Sequence, residues 1–226
     1  MALKAYVHLV SQPSRAVAWL LKAKAVEHEL VQVEFGTGLV KSEEYLAMNP
    51  NGLVPTIKDG DFSLFEGNAI LTYIATKYGF DDLYPADLQK RAKVDQYLHW
   101  HHYGTREFTI KIVRPSLKKV HGAATPEELA WLDKTQETID KHSTILEKLF
   151  VGDYIASNDA PTVADFAAYC EYDQLEVMGL LANLGDKHPK VASWIERMKQ
   201  VPYHDEVRVM LNGFVKATGI ATKTDA

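Results

Sequence analysis

Val7-His8-Leu9-Val10-Ser11-Gln12-Pro13-Ser14-Arg15 is the stretch on which the start of the fold turns. It reads as the end of a strand, a short turn and the first turn of a helix. Pro13 fixes its φ where a helix begins and lacks an N–H that would be orphaned there. Ser11 is the last residue before the turn. Its hydroxyl either satisfies the free amides of the first helical turn or stays available to an anion at the helix's positive end.

Working outward, residues 3–10 alternate Leu3, Ala5, Val7 and Leu9 with Lys4, Tyr6 and His8, a period of two that specifies a strand. Beyond Pro13, Ala16, Val17, Leu20, Leu21 and Ala25 recur at helical spacing. Residues 29–35 return to alternation. A β-α-β opening implies a parallel strand pair with a right-handed crossover. Lys41 to Met48 reads as a short helix, stopped by Asn49-Pro50-Asn51-Gly52. Leu53 to Lys58 is strand-like but holds Pro55. This is either a trans proline at a strand edge or a cis peptide where an edge strand begins. Asp59-Gly60 signals a hairpin, with Phe62 to Phe65 returning antiparallel. Glu66 then opens a helix whose apolar stripe includes Ile70, Leu71 and Ile74.

The order β-α-β-α-β-β-α predicts an α/β domain over residues 1–79, a mixed four-stranded sheet flanked by helices. Residues 80–87 read as a linker. Residues 88–226 show no strand pattern and read as an all-helical domain. Its first helix runs over 88–114 and is kinked or ended by Pro115. A second runs from Thr125 to about Phe150. A third opens at Thr162-Val163-Ala164-Asp165, a capping-box arrangement with Asp in place of Glu. Two shorter helices follow, from Pro189 and from Tyr203.

Composition narrows the function classes. The 226 residues suffice for two domains, and 46% hydrophobic with 24% charged residues is ordinary for a globular chain. A net charge of −5 gives no general attraction to nucleic acid or to an anionic membrane surface. No apolar run reaches a membrane span. The N-terminus alternates like a strand and not like a leader, so a cytoplasmic location is expected. The single cysteine, Cys170, excludes an internal disulfide framework and a Cys-x-x-Cys motif. His99 and His102 share a helical face beside His101, but a zinc site needs three or four ligands and no second cluster supplies them. No metal site is expected.

Three segments carry a family resemblance. They are Ser11-Gln12-Pro13-Ser14-Arg15-Ala16, the run from Asn49 to Asp61 followed by Phe62 and Glu66, and Tyr84-Pro85-Ala86-Asp87 leading to Tyr97-Leu98 and Trp100. Together they resemble the soluble glutathione transferases of the theta class. The resemblance implies a thioredoxin-like domain that binds reduced glutathione and a helical domain that contributes the site for a small hydrophobic electrophile. It implies that the Ser11 hydroxyl donates to the glutathione thiolate, an anion that such a bond and a helix end stabilise by roughly one to two pKa units. Ser14, in the first helical turn, is the competing hydroxyl.

The resemblance further implies glutathione contacts at Gln12, Lys41, Val54, Pro55, Glu66 and Gly67. Lys41 would reach the glycyl carboxylate, and the Val54-Pro55 backbone would pair with the cysteinyl main chain like one more strand. Glu66 would take the γ-glutamyl ammonium and Gly67 the α-carboxylate. Tyr103 and Arg106 would line the electrophile cleft. Val40 and Leu53 stand where the family often has histidine and lysine, and Gly67 where it has serine or threonine. Thiol activation with a weakened grip on the glycyl end is therefore expected. The implied reaction is conjugation, or reduction of organic hydroperoxides, by a homodimer with no metal or organic cofactor. A function of another class, a non-catalytic glutathione-transferase-like protein-interaction domain, also fits this sequence.

Overall fold

The computed structural model describes residues 2–34, 36–157 and 159–221. Four strands form one sheet: β1 (Leu3–Val7), β2 (His28–Gln32), β3 (Thr56–Asp59) and β4 (Phe62–Phe65), in the spatial order β2-β1-β3-β4. β1 and β2 run parallel with Leu3 opposite His28, as the β-α-β opening requires. β3 is antiparallel to both β1 and β4. Leu3, Ala5 and Val7 are buried while Lys4 is exposed, so the alternation of β1 is a true inside–outside pattern. Asp59 pairs with Phe62, so the hairpin loop is Gly60-Asp61, one residue later than the Asp-Gly signal placed it. Gly60, at φ +61°, takes the loop position that disfavours a side chain. Phe35, the last residue of the expected second strand, lies outside the described residues.

Helix α1 (Gln12–Ala23) is the centre of the molecule. It packs between the sheet and the helical domain, and every residue from Gln12 to Leu21 except Pro13 is buried. Trp19 meets Phe166, Tyr169 and His204 and donates its indole N–H to the Pro202 carbonyl at 2.8 Å. α2 (Glu43–Met48) follows a single 3-10 turn, Leu39–Lys41, so the helix begins two residues later than its sequence pattern; Ser42 caps it. α3 (Gly67–Lys77) starts against α1. A Cβ on Gly67 would stand 2.6 Å from Pro13 Cβ, so only glycine lets the two helix starts come this close without a shift.

The second domain begins with α4 (Leu88–Trp100), capped by Asp87, which accepts from the Gln89 and Lys90 N–H groups. The single long helix expected to Pro115 is instead broken. The chain turns over residues 101–105, where a Cβ on Gly104 would lie 2.5 Å from the Trp100 ring. It then passes through α5 (Arg106–Phe108), a π-helical turn over Thr109–Val113, and α6 (Arg114–Val120). Pro115 ends nothing. It sits in the first turn of α6, and the wide turn before it accommodates the missing N–H. The expected helix from Thr125 divides into α7 (Pro126–Leu132) and α8 (Thr135–Glu147), where the Thr135 hydroxyl takes the Leu132 carbonyl at 2.7 Å.

α9 (Val163–Val177) runs through the middle of the helical layer. Asp165 accepts from the Thr162 and Ile155 N–H groups and from the Trp194 indole, at 2.7 to 2.9 Å, and burial raises its pKa to about 6. The short α10 (Leu184–Lys187), α11 (Pro189–Met198) and α12 (His204–Thr218) close the fold. Cys170 is buried on α9, and that burial pushes its thiol up to about 12, which leaves it unreactive.

Because Gly67 has no room for a side chain, Gly67→Ala must push α3 away from Pro13. We expect a loss of about 1–3 kcal/mol, the usual cost of overpacking. Urea denaturation of the variant beside the parent chain measures it.

Candidate active site

Ser11 is the N-cap of α1, yet its side chain caps no amide. The backbone holds the turn instead: Ser11 N–H donates to the His8 carbonyl at 2.8 Å, and Arg15 N–H donates to the Ser11 carbonyl at 2.9 Å. The half-buried hydroxyl lines a mostly apolar cavity of about 400 Å³ between the two domains. Ser14 is fully buried, its Oγ has no hydrogen-bond partner, and it lines neither this cavity nor the smaller one beside it. Of the two hydroxyls, only that of Ser11 is open to a ligand here.

Arg15 anchors the turn from beneath. Its guanidinium donates to the Leu9, Val10 and Cys170 carbonyls at 3.2, 2.8 and 2.9 Å, and lies 3.5 Å from Asp173. The carboxylate comes from α9. Burial raises the pKa of Asp173, opposed by Arg15 and Arg208.

The Val54-Pro55 peptide is cis. Three donors converge on the preceding carbonyl, that of Leu53: the Tyr45 hydroxyl (2.8 Å), the Asn49 carboxamide (2.9 Å) and the Thr56 hydroxyl (3.2 Å). The Asn49 carboxamide also donates to the Thr56 hydroxyl, and the Tyr45 hydroxyl lies beside it, each at 3.0 Å. Charge-neutral bonds of this kind contribute about 1 kcal/mol each, so the group fixes the loop firmly. Val54 N–H and C=O pair with nothing among the described residues, and Val54 lines both cavities.

The smaller cavity, about 140 Å³, is lined by Pro13, Val54, Glu66, Gly67, Asn68 and Arg106 among others. Glu66 holds φ +71°, a backbone region costly for a residue with a side chain, at the N-cap of α3. Its exposed carboxylate makes no capping bond. The starts of α1 and α3 meet here through Gly67 and Pro13, so two positive helix ends converge on one place.

Arg106 lines both cavities and is held from behind by Glu171 at 2.9 Å. Burial alone would raise the Glu171 carboxyl. The Arg106 guanidinium, with hydrogen bonds from His101 and Thr109, overrides it and holds the carboxyl down at about 2. Thr109 donates to Glu171 at 2.7 Å and accepts from Gln12 at 2.5 Å. Gln12 therefore spends its carboxamide on the helical domain and ties the Ser11 turn to α9.

Two expected site residues stand elsewhere. Lys41 is exposed at the end of the 3-10 turn and lines neither cavity; its neighbour Val40 lines the larger one. A 3-10 turn points successive side chains about 120° apart, so both cannot face inward. Tyr103 is 83% exposed and also lines neither cavity. The expectation that it shares the face of Arg106 assumed an unbroken helix, and the turn at Gly104 removes that relation. No cluster of metal-ligating side chains occurs among the described residues.

The glutathione S-transferase N-terminal domain profile matches residues 1–76, and the C-terminal domain profile matches residues 117–203. Human glutathione S-transferase theta-2B is 38% identical over 203 residues, which cover 88% of this chain and 81% of the relative. This chain is a glutathione S-transferase of the theta class. The Arabidopsis thaliana transferase T1 is 32% identical and matches 98% of this chain and 96% of its own. The human theta-2 transferase, solved in complex with glutathione and an unknown ligand, superposes with a TM-score of 0.84 at 33% identity, over 96% of this chain and 90% of that one. The sheet domain and the helical domain of this transferase are those of its family.

Sequence reasoning missed Tyr45, Asn49 and Thr56 as the supports of the Val54 loop, and Glu171 as the support of Arg106. Asn49 gave a signal only as a turn residue. Glu171 gave one that could have been used: a carboxylate set between Cys170 and Tyr172, in a helix stretch rich in Phe, Ala and Tyr, is placed to be buried and therefore paired.

Glu171 has a folded pKa of about 2, below the ordinary 4.5, so its contribution to stability is complete above 4.5 and is lost as pH falls toward 2. Glu171→Gln should lower stability at pH 7 by about 3 kcal/mol. The difference from the parent chain should narrow between pH 4.5 and pH 2, as denaturant titrations at several pH values would report.

Proposed function

We propose that this transferase activates glutathione through the Ser11 hydroxyl and adds the thiolate to an apolar electrophile in the 400 Å³ cavity. One observation carries the proposal: the uncommitted Ser11 hydroxyl, at the positive end of α1, opens into the cavity that Val54 shares with the Glu66 pocket. The γ-glutamyl ammonium meets Glu66, and its α-carboxylate meets the N–H groups at the start of α3. The cysteinyl main chain pairs with the free N–H and C=O of Val54. That places the sulfur at Ser11. The hydroxyl stays protonated and donates to the thiolate; it is not the nucleophile. The sulfur then attacks the electrophilic carbon and the leaving group departs, or it adds to an activated double bond.

With a hydroperoxide, the thiolate attacks the distal oxygen and the alcohol leaves. A second glutathione resolves the resulting sulfenate to the disulfide and water. Arg106, fixed by Glu171, keeps guanidinium N–H groups toward the cavity, where they face developing negative charge on a leaving group. The working unit comprises a glutathione-binding domain over residues 1–79, a linker over 80–87 and a helical domain over 88–226. It acts as a homodimer in the cytoplasm, where glutathione is kept reduced.

Ser11→Ala tests the assignment. A free thiol has a pKa of about 8.5. Loss of the hydroxyl should move the bound thiol back toward it by about one to two units and lower kcat/KM at neutral pH by about ten- to a hundredfold. The pH–rate profile and the ultraviolet thiolate band of the binary complex both report this. Ser14→Ala, which removes a hydroxyl with no partner, should leave both unchanged.

A further inference from the structure

The Glu66 pocket and the Ser11 cavity meet at Leu53, Val54 and Arg106, which line both. An extended thiol tripeptide with its first residue at Glu66 and its second at Val54 carries its third residue beyond Val54, into the Ser11 cavity. Apart from the Ser11 turn, Val33 and Val54, the sheet-domain lining of that cavity is Val40, Gly52, Leu53 and Glu34. Two of these side chains are apolar, Gly52 has none, and the one charge is negative. Glu34 is exposed and has no ion-pair partner among the described residues. The cation nearest in sequence, Lys41, is exposed and outside the lining. The two cations that do line the cavity come from the helical domain: Arg106, already paired with Glu171, and Arg114 at the start of α6.

We propose that this site accepts the C-terminal end of its thiol substrate without recognising a charge, so that a γ-glutamyl-cysteinyl peptide with a neutral C-terminus is an equal or better substrate than glutathione. The inference rests on the assignment of glutathione to Glu66, Val54 and Ser11. A carboxylate placed against Val40 and Leu53 gains no charge-assisted hydrogen bond and meets the field of Glu34. A neutral carboxamide of the same size loses nothing by comparison. It also avoids the repulsion.

The experiment compares glutathione with glutathione C-terminal amide, using one benzylic halide as electrophile at neutral pH and low salt. The expected kcat/KM for the amide equals or exceeds that for glutathione. A preference for glutathione above about threefold, well within what one charge-assisted bond supplies, overturns the inference. Leu53→Lys supplies the missing cation on an exposed position. It should turn the preference toward glutathione by about fivefold, mostly in KM. An unchanged ratio in that variant would show that the third residue lies elsewhere, and overturns the inference as well. Lys41→Ala and Arg114→Ala should leave the amide-to-acid ratio as it is, and a selective loss with glutathione in either would identify the cation that the proposal says is not used. If neither thiol is turned over or bound, the glutathione assignment itself fails, an outcome distinct from a measured preference for the acid.

Discussion

The guanidinium of Arg15 is the contact on which the site depends. It sits fully buried at the start of α1 and gathers two carbonyls of the strand–helix turn, one carbonyl of α9 and the carboxylate of Asp173. A buried cation is tolerable only with such a set of acceptors. The set comes from both domains, so the same interaction that satisfies the charge also fixes their relative position at the turn. Ser11 then faces the interdomain cavity because its backbone has no freedom to do otherwise. Gln12 adds a second tie to the helical domain through Thr109.

A second constraint acts through absence of bulk. Gly67 lets the start of α3 abut Pro13, which brings two helix N-termini to one point. Each carries about half a positive charge. The hydroxyl that the family often has at this position is lost, but the approach that replaces it strengthens the field available to an anionic ligand. Glu66 holds its strained φ beside these helix ends and leaves its carboxylate exposed there.

Electrostatics divides the cavity unevenly. On the helical side, Glu171 is buried yet ionised, because Arg106, His101 and Thr109 together outweigh its desolvation. This fixes Arg106 and takes up part of its charge. On the sheet side, the wall beyond Val54 is apolar and slightly acidic. The helical side of the cavity is thus electrostatically organised, while its sheet side offers no cation among the described lining residues. The supports of the Val54 loop, Tyr45, Asn49 and Thr56, are equally specific but act on the backbone, so no property of the substrate can be read from them.

The fold was legible in the chain because its signals are local. The alternation of β1, the proline at the start of α1, the Asp-Gly hairpin and the Thr162-Asp165 cap each follow from neighbouring residues. The strand–helix turn at Ser11, the loop at Val54-Pro55 and the helix start at Glu66 were legible as element boundaries for the same reason: each is marked by turn chemistry. The errors arose where a long-range contact altered a local pattern. Periodicity carried one helix from residue 88 to Pro115, but the chain turns over residues 101–105, where Gly104 packs on Trp100, and Tyr103 ends exposed outside both cavities. Lys41 was displaced by a single 3-10 turn. The sequence by itself determined the order of elements, the sheet domain and the candidate nucleophile-activating turn, since these rest on periodicity and capping within a few residues. Tertiary structure alone decided which hydroxyl is open, which cation is already paired and which wall is left uncharged. Those outcomes depend on partners as far apart as Arg15 and Asp173, or Arg106 and Glu171, whose meeting no local pattern records.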